Sequence, residues 1–131
     1  MTGRYWLDRE LVIAIHEEQL EQHGGGVGVR DNALLESALA RPINLAAHDE
    51  SADIAALAAA YAFGIARNHP FVDGNKRTAY VAMELFLLDH GVEFLAEDGD
   101  AVLTFVALAA GQISENELAV WIRKHSSPAP L

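Results

Sequence analysis

The 131-residue sequence contains no cysteine, which removes disulfide frameworks and thiolate metal sites and suits a reducing compartment. Cations are scarce: nine Lys and Arg stand against nineteen Asp and Glu, for a formal net charge of -10. Phosphate backbones and anionic membranes demand a cationic surplus, so direct nucleic-acid and membrane partners are disfavoured. Long apolar runs are missing too. The longest uncharged one, Ile54 to Ala66, has thirteen residues, against roughly 18 to 20 for a bilayer crossing. The opening "MTGRYWLDRELV" has no apolar stretch of signal-peptide length, and the expectation is a cytoplasmic protein. Strand signals are nearly absent, and no internal repeat is visible.

What is present is half hydrophobic and about a fifth charged, the composition of one compact domain. The expected division is a domain over 1–125 and a flexible tail, "SSPAPL", over 126–131. "LDRELVIAIHEEQLEQHGGG" reads as an amphipathic helix over about 8–22, acidic at its start and closed by glycine. "RDNALLESALARP" gives a short helix with Asp31 near its start and Pro42 just past its end, and "NLAAHDES" a loop. "ADIAALAAAYAFGIARN" is apolar nearly all round and therefore a buried helix. It stops at about Asn68, because Pro70 pushes the residue before it out of the α region. A second apolar helix, "NKRTAYVAMELFLLDHG", starts at about Gly74 or Asn75 and closes on Gly91. "VEFLA" allows a short extended piece. Further helices are expected from Asp98 or Asp100 to about Gly111, and over about 115–125 behind the capping box of Ser114 and Glu117. The fold class is all-α: a compact single-domain bundle of about six helices, the third and fourth forming its spine.

Between those two central helices lies "NHPFVDGNKRTA", which sets a histidine, a carboxylate, a glycine, an amide and two cations within nine positions. Turn chemistry alone would explain Pro, Asp, Gly and Asn, but a loop tied to buried helices holds its polar groups in fixed geometry. A helix start presents free N–H groups and the positive end of its dipole, so Gly74, Asn75, Lys76 and Arg77 form an anion cradle suited to phosphate. Arg77 can grip phosphate oxygens with paired donors, and Lys76 adds a mobile charge. Polyphosphate travels with Mg²⁺, which needs few protein ligands, and Asp73 is the metal candidate. His69, at the end of the preceding helix, is placed to take a proton from a hydroxyl attacking the phosphate, as general base. These parts suit phosphoryl-type transfer, where positioning and charge stabilisation dominate.

"HPFVDGNKR" resembles the signature loop of the Fic/Doc family. "HEEQLEQHGG", "LLESALARP" and "FLLDHGVEF" extend the resemblance almost end to end, toward the compact Doc (death-on-curing) branch, the toxin half of bacterial toxin–antitoxin pairs. The resemblance implies His69 as catalytic base, Asp73 as Mg²⁺ ligand, residues 74–77 as the phosphate-binding loop and Phe71 as a buried anchor, with ATP and Mg²⁺ as cofactors. The larger Fic enzymes carry glycine where this chain has Lys76 and a second arginine where it has Tyr80. A lysine crowds the pose for AMP transfer. The Doc-like reading, transfer of the terminal phosphate of ATP to translation elongation factor Tu, therefore ranks above adenylylation. A small antitoxin in an apolar groove is the implied partner. A non-catalytic binding module is the rival class, and a metal hydrolase of nucleotides ranks last.

"HGGGVG" (23–28) follows no strand of a βαβ unit and reads as a mobile connection rather than a dinucleotide fingerprint. "HEEQL" (16–20) begins like a zinc protease motif, but Leu20 stands where the second histidine belongs, so His16 is expected to be a helix-face residue with a local partner. His23, His48, His90 and His125 show no ligand spacing. Arg67 could reach phosphate or be a solvated or paired cation.

Overall fold

A computed structural model describes residues 5–130. Residues 1–4 and Leu131, at the outer ends of the expected domain and tail, lie outside the described residues. The elements are α1 (Arg9–His23), α2 (Asn32–His48), α3 (Ile54–Asn68), α4 (Asn75–Asp89), β1 (Val92–Phe94), α5 (Asp98–Ala109), α6 (Glu115–Lys124) and β2 (Ser126–Pro128). The all-helical bundle expected from sequence is present, with one small sheet added. No described helix is long and apolar enough to cross a membrane.

Four helices start on side-chain caps that satisfy otherwise orphaned N–H groups. Asp8, Asp31 and Asp53 accept from Leu11, Leu34 and Ala56 N–H at 2.9, 3.0 and 2.9 Å, and Ser114 and Glu117 form the expected capping box. The axis of the bundle is α3, buried on most of its surface and packed against α2, α4, α5 and α6. Its alanines let neighbouring backbones approach, most closely at Gly64, where an added Cβ would stand 3.0 Å from the Ala38 Cα. Tyr61 is fully buried on the same helix, its hydroxyl accepting from Leu7 N–H at 2.9 Å; burial pushes its pKa up to about 12.

One expectation is corrected. The second helix does not end before Pro42 but runs through it to His48, and most of "NLAAHDES" is helical. Proline removes one helical hydrogen bond and strains the preceding turn, at a cost of about 3 kcal/mol. Here Pro42 is buried with Leu35, Ala38 and Leu39 on the face that packs against α3, and tertiary burial outweighs the local penalty. The Ala38 carbonyl, which would have accepted from residue 42, faces Gly64 instead, 3.2 Å from where a Cβ would stand. Residue 69 leaves the α region as expected, and α3 stops at Asn68; the backbone of His69 settles in the left-handed well. Residues 126–128, read from sequence as tail, pair antiparallel with 92–94: Val92 with Pro128, Glu93 with Ser127 and Phe94 with Ser126. Pro128, with no N–H to give, sits at the end of an edge strand where none is required.

Candidate active site

The chain turns sharply between α3 and α4, and the turn's carbonyls are held by distant residues. His69 has φ 49 and ψ 56, and it is the one non-glycine residue with positive φ among the described residues. Left-handed backbone at a helix end usually falls to glycine; a histidine there needs outside support. Arg30 supplies it. Its Nε donates to the His69 carbonyl at 2.8 Å and its Nη2 to the Asn68 carbonyl at 3.1 Å. A guanidinium is thus laid across the α3 C-terminus, where unpaired carbonyls and the dipole favour a cation. The N–H groups of Arg30 and Asp31 both reach the Pro70 carbonyl, at 2.7 and 3.1 Å, and Val72 N–H donates to the Gly28 carbonyl at 3.1 Å.

The second half of the turn is anchored inward. Phe71 is buried and lies flat on the His16 ring, centroids 3.9 Å apart and planes within 9°. His16 Nε2 donates to the Asp73 carbonyl at 2.7 Å. The Asn75 side chain closes a ring with the Phe71 peptide, accepting from its N–H at 2.9 Å and donating to its carbonyl at 3.0 Å. Asn75 is thereby turned away from the helix mouth, and only its backbone N–H remains available to an anion there.

Gly74, at φ 74, is the N-cap of α4 and offers no side chain to the helix start. Its N–H donates to Asp73 Oδ1 at 2.8 Å, and Gly26 N–H reaches Asp73 Oδ2 at 3.4 Å. The Gly74 N–H above all, then the Gly26 N–H, holds the Asp73 carboxyl below its ordinary pKa, with smaller help from Arg77 and Lys76. The N–H groups of Asn75, Lys76 and Arg77 belong to the first helical turn and have no intrahelical acceptor. Lys76 is exposed and has no ion pair among the described residues. Arg77 is half-buried; its Nη2 donates to the Gly24 carbonyl at 3.3 Å, while its Nε is buried without an acceptor. One depression of about 280 Å³ is lined by His69, Val72, Asp73, Gly74, Asn75, Lys76 and Arg77. Every residue named from sequence as base, cradle or metal ligand therefore lines this one depression.

Among the described residues no group of three His, Cys, Asp or Glu is placed to hold a metal ion. A lone, exposed, charged carboxylate beside the free N–H groups of a helix start fits Mg²⁺, which takes one or two carboxylates and completes its shell with phosphate oxygens and water. It would not fit a tightly caged transition metal. Arg67 takes no part: its guanidinium lies 5.2 Å from the centre of the Phe63 ring and beside Gly111. His16 and Arg30 are the loop's supports that the sequence does not reveal. The partner of His16 is no local group but the motif loop 57 residues on, and Arg30 acts across 39 residues. Nothing in the local sequence announces either role.

A family model described as the Fic/DOC family matches residues 6–87. The chain is 35% identical over 115 residues to "Protein kinase doc" of Escherichia phage P1, covering 88% of this chain and 90% of that protein. It is 41% identical over 93 residues to "Toxin Doc" of Mycolicibacterium smegmatis, covering 70% and 69%.

Proposed function

The chain belongs to the Fic/Doc family, and from that footing we propose that it is the toxin of a toxin–antitoxin pair, moving the terminal phosphate of ATP to a hydroxyl of a target protein. One observation carries the reading: a single depression lined by His69, Asp73, the first residues of α4 and the cations Lys76 and Arg77. The triphosphate lies on the free N–H groups of residues 75–77, gripped by Arg77 and Lys76. Asp73 would hold Mg²⁺, which when bound neutralises phosphate charge. The His69 imidazole takes the proton of the incoming hydroxyl as its oxygen bonds to the γ-phosphorus. The bond from that phosphorus to the bridging oxygen breaks, and ADP leaves on the cradle.

Translation elongation factor Tu is the proposed target and the cytoplasm the proposed site of action. The antitoxin partner has a surface to meet: Val102, Leu103 and Val106 on α5 are 62, 71 and 48% exposed, an apolar stripe suited to an amphipathic helix. Incubation of the protein with Mg-ATP and the elongation factor should add one phosphate to the target, read by mass, and His69→Ala should slow the transfer by about 10²–10⁴-fold. Gain of an adenylate would replace phosphate transfer by AMP transfer. Equal growth arrest by the wild type and His69→Ala would move the protein to the non-catalytic class.

A further inference from the structure

The glycine-rich connection between α1 and α2 lies directly against the signature loop. A Cβ on Gly25 would stand 2.7 Å from Asp73 Oδ2, and one on Gly26 2.7 Å from Val72 Cγ1. A hollow of about 410 Å³ opens between this connection and α1, with Ile13, Leu20 and Phe71 among its apolar lining and His16, Glu17 and Glu21 as its polar side chains. All three polar groups offer acceptors. Glu17 and Glu21 are exposed, one helical turn apart, and have no ion pair among the described residues; an ionised carboxylate only accepts. His16 is 2% exposed, its Nε2–H is committed to the Asp73 carbonyl, and its Cδ2 lies 3.7 Å from where a Gly74 Cβ would stand. The Cδ2–Nε2 edge of the ring is thus turned to the loop. Nδ1, opposite that edge, takes no hydrogen bond from the described residues, and in the tautomer that donates from Nε2 it is an acceptor. No Lys or Arg lines the hollow.

We propose that this hollow is a specificity subsite for an arginine side chain of the target protein, seated while a hydroxyl of the same protein enters the depression beside His69. The proposal rests on the transfer reading of that depression and adds what selects the acceptor. Acceptors set over an apolar floor complement a side chain with an apolar stem and a donor head, which is the form of the long cationic residues. Arginine fits better than lysine. Its planar head carries five donors, enough to divide between two carboxylates and a ring nitrogen, and it gives up water more readily than an ammonium does. The stem lies along Ile13 and Leu20 while the head reaches Glu17 and Glu21. The same carboxylates repel phosphate, so the hollow and the depression take opposite charges on the two sides of the connection. A cationic target surface is also steered toward α1 by the chain's formal charge of -10, which favours encounter with the right partner.

The first measurement needs no transfer activity. N-acetyl-arginine amide and its citrulline analogue, alike in shape but uncharged, are titrated into the isotope-labelled whole chain and followed by NMR. The arginine compound should shift the amide signals of Glu17, Glu21 and residues 24–28, and the citrulline compound should not. A chain carrying Glu17→Gln and Glu21→Gln, both on the exposed face of α1, should respond to neither. The second measurement uses elongation factor Tu as acceptor: the double substitution should raise the KM for the target about tenfold, the worth of one lost charge pair, with kcat and ATP affinity little changed. Equal shifts by the two compounds, shifts centred elsewhere on the surface, or a target KM that the double substitution leaves in place overturns the subsite. Arginine shifts at the hollow in a chain that transfers no phosphate would uphold the cation site and remove the phosphotransfer reading instead.

Discussion

The general base proposed for this site, His69, occupies a backbone conformation that its own side chain does not favour. Left-handed geometry at a β-carbon-bearing residue costs on the order of 1–2 kcal/mol, and here it is held by donors from elsewhere in the chain. Arg30 spans the Asn68 and His69 carbonyls from one side. His16 and Asn75 fix Asp73 and Phe71 from the other. Arg30→Gln should release the base while leaving the N–H groups of α4 untouched. The expected result is a fall in transfer rate of roughly 10–100-fold at saturating ATP, since misplacement by about 1 Å can cost that much. ATP affinity should change little, and Arg30→Lys should recover part of the rate through its retained charge. Loss of ATP binding in parallel with rate would make Arg30 a general support of the fold instead of a positioning residue for His69.

Between elements, Gly64 of α3 meets the backbone of Ala38 of α2 at close range. Gly64 has helical backbone and no conformational need to be glycine; it is glycine because a methyl group would stand 3.0 Å from the Ala38 Cα and 3.2 Å from its carbonyl oxygen. In an exposed helix Gly→Ala would stabilise by up to about 1 kcal/mol. At this seam, overpacking should reverse the sign and destabilise by about 1–3 kcal/mol, read as a lower urea midpoint. The same seam explains why one helix end was illegible. Starts at Asp8, Asp31, Asp53 and Ser114 depend on hydrogen bonds three residues apart, and a linear sequence displays such spacing. The signature loop is legible for the same reason, since its histidine, carboxylate and cations lie within nine positions. Continuation of α2 through Pro42 depends on what α3 presents across the seam. The β1–β2 pairing and the reach of Arg30 and His16 likewise join segments more than thirty residues apart, which local pattern does not encode.

At the scale of the whole molecule, the excess of acid is distributed unevenly in its consequences. Asp53 caps α3 and pairs in a fork with Arg123 of α6, at 2.7 and 2.9 Å; the Arg123 guanidinium holds the Asp53 carboxyl below its usual pKa. Its contribution to stability is present above the unfolded-chain pKa, near 4, and is lost as pH falls through the lowered folded value. Glu84 behaves in the opposite sense. Burial pushes its pKa up, the nearby Asp98 adds to the rise, and a hydrogen bond from Tyr80 only partly offsets them. Above that raised value the folded state carries a charge it disfavours, so Glu84 lowers stability at neutral pH. The penalty lifts as pH falls through the raised folded pKa, where the native state takes up a proton that the unfolded chain does not yet bind. Tyr80 and Asp98, the groups facing Glu84, also line a hollow of about 420 Å³ between α4 and α5. Glu84→Gln should therefore raise Tm at pH 7. The gain should exceed that of Glu50→Gln, an exposed control that removes one negative charge from the same total of -10, and should shrink as the pH is lowered toward 4. A gain no larger than the control, or one undiminished in acid, would mean that burial of the Glu84 charge is not what costs the native state.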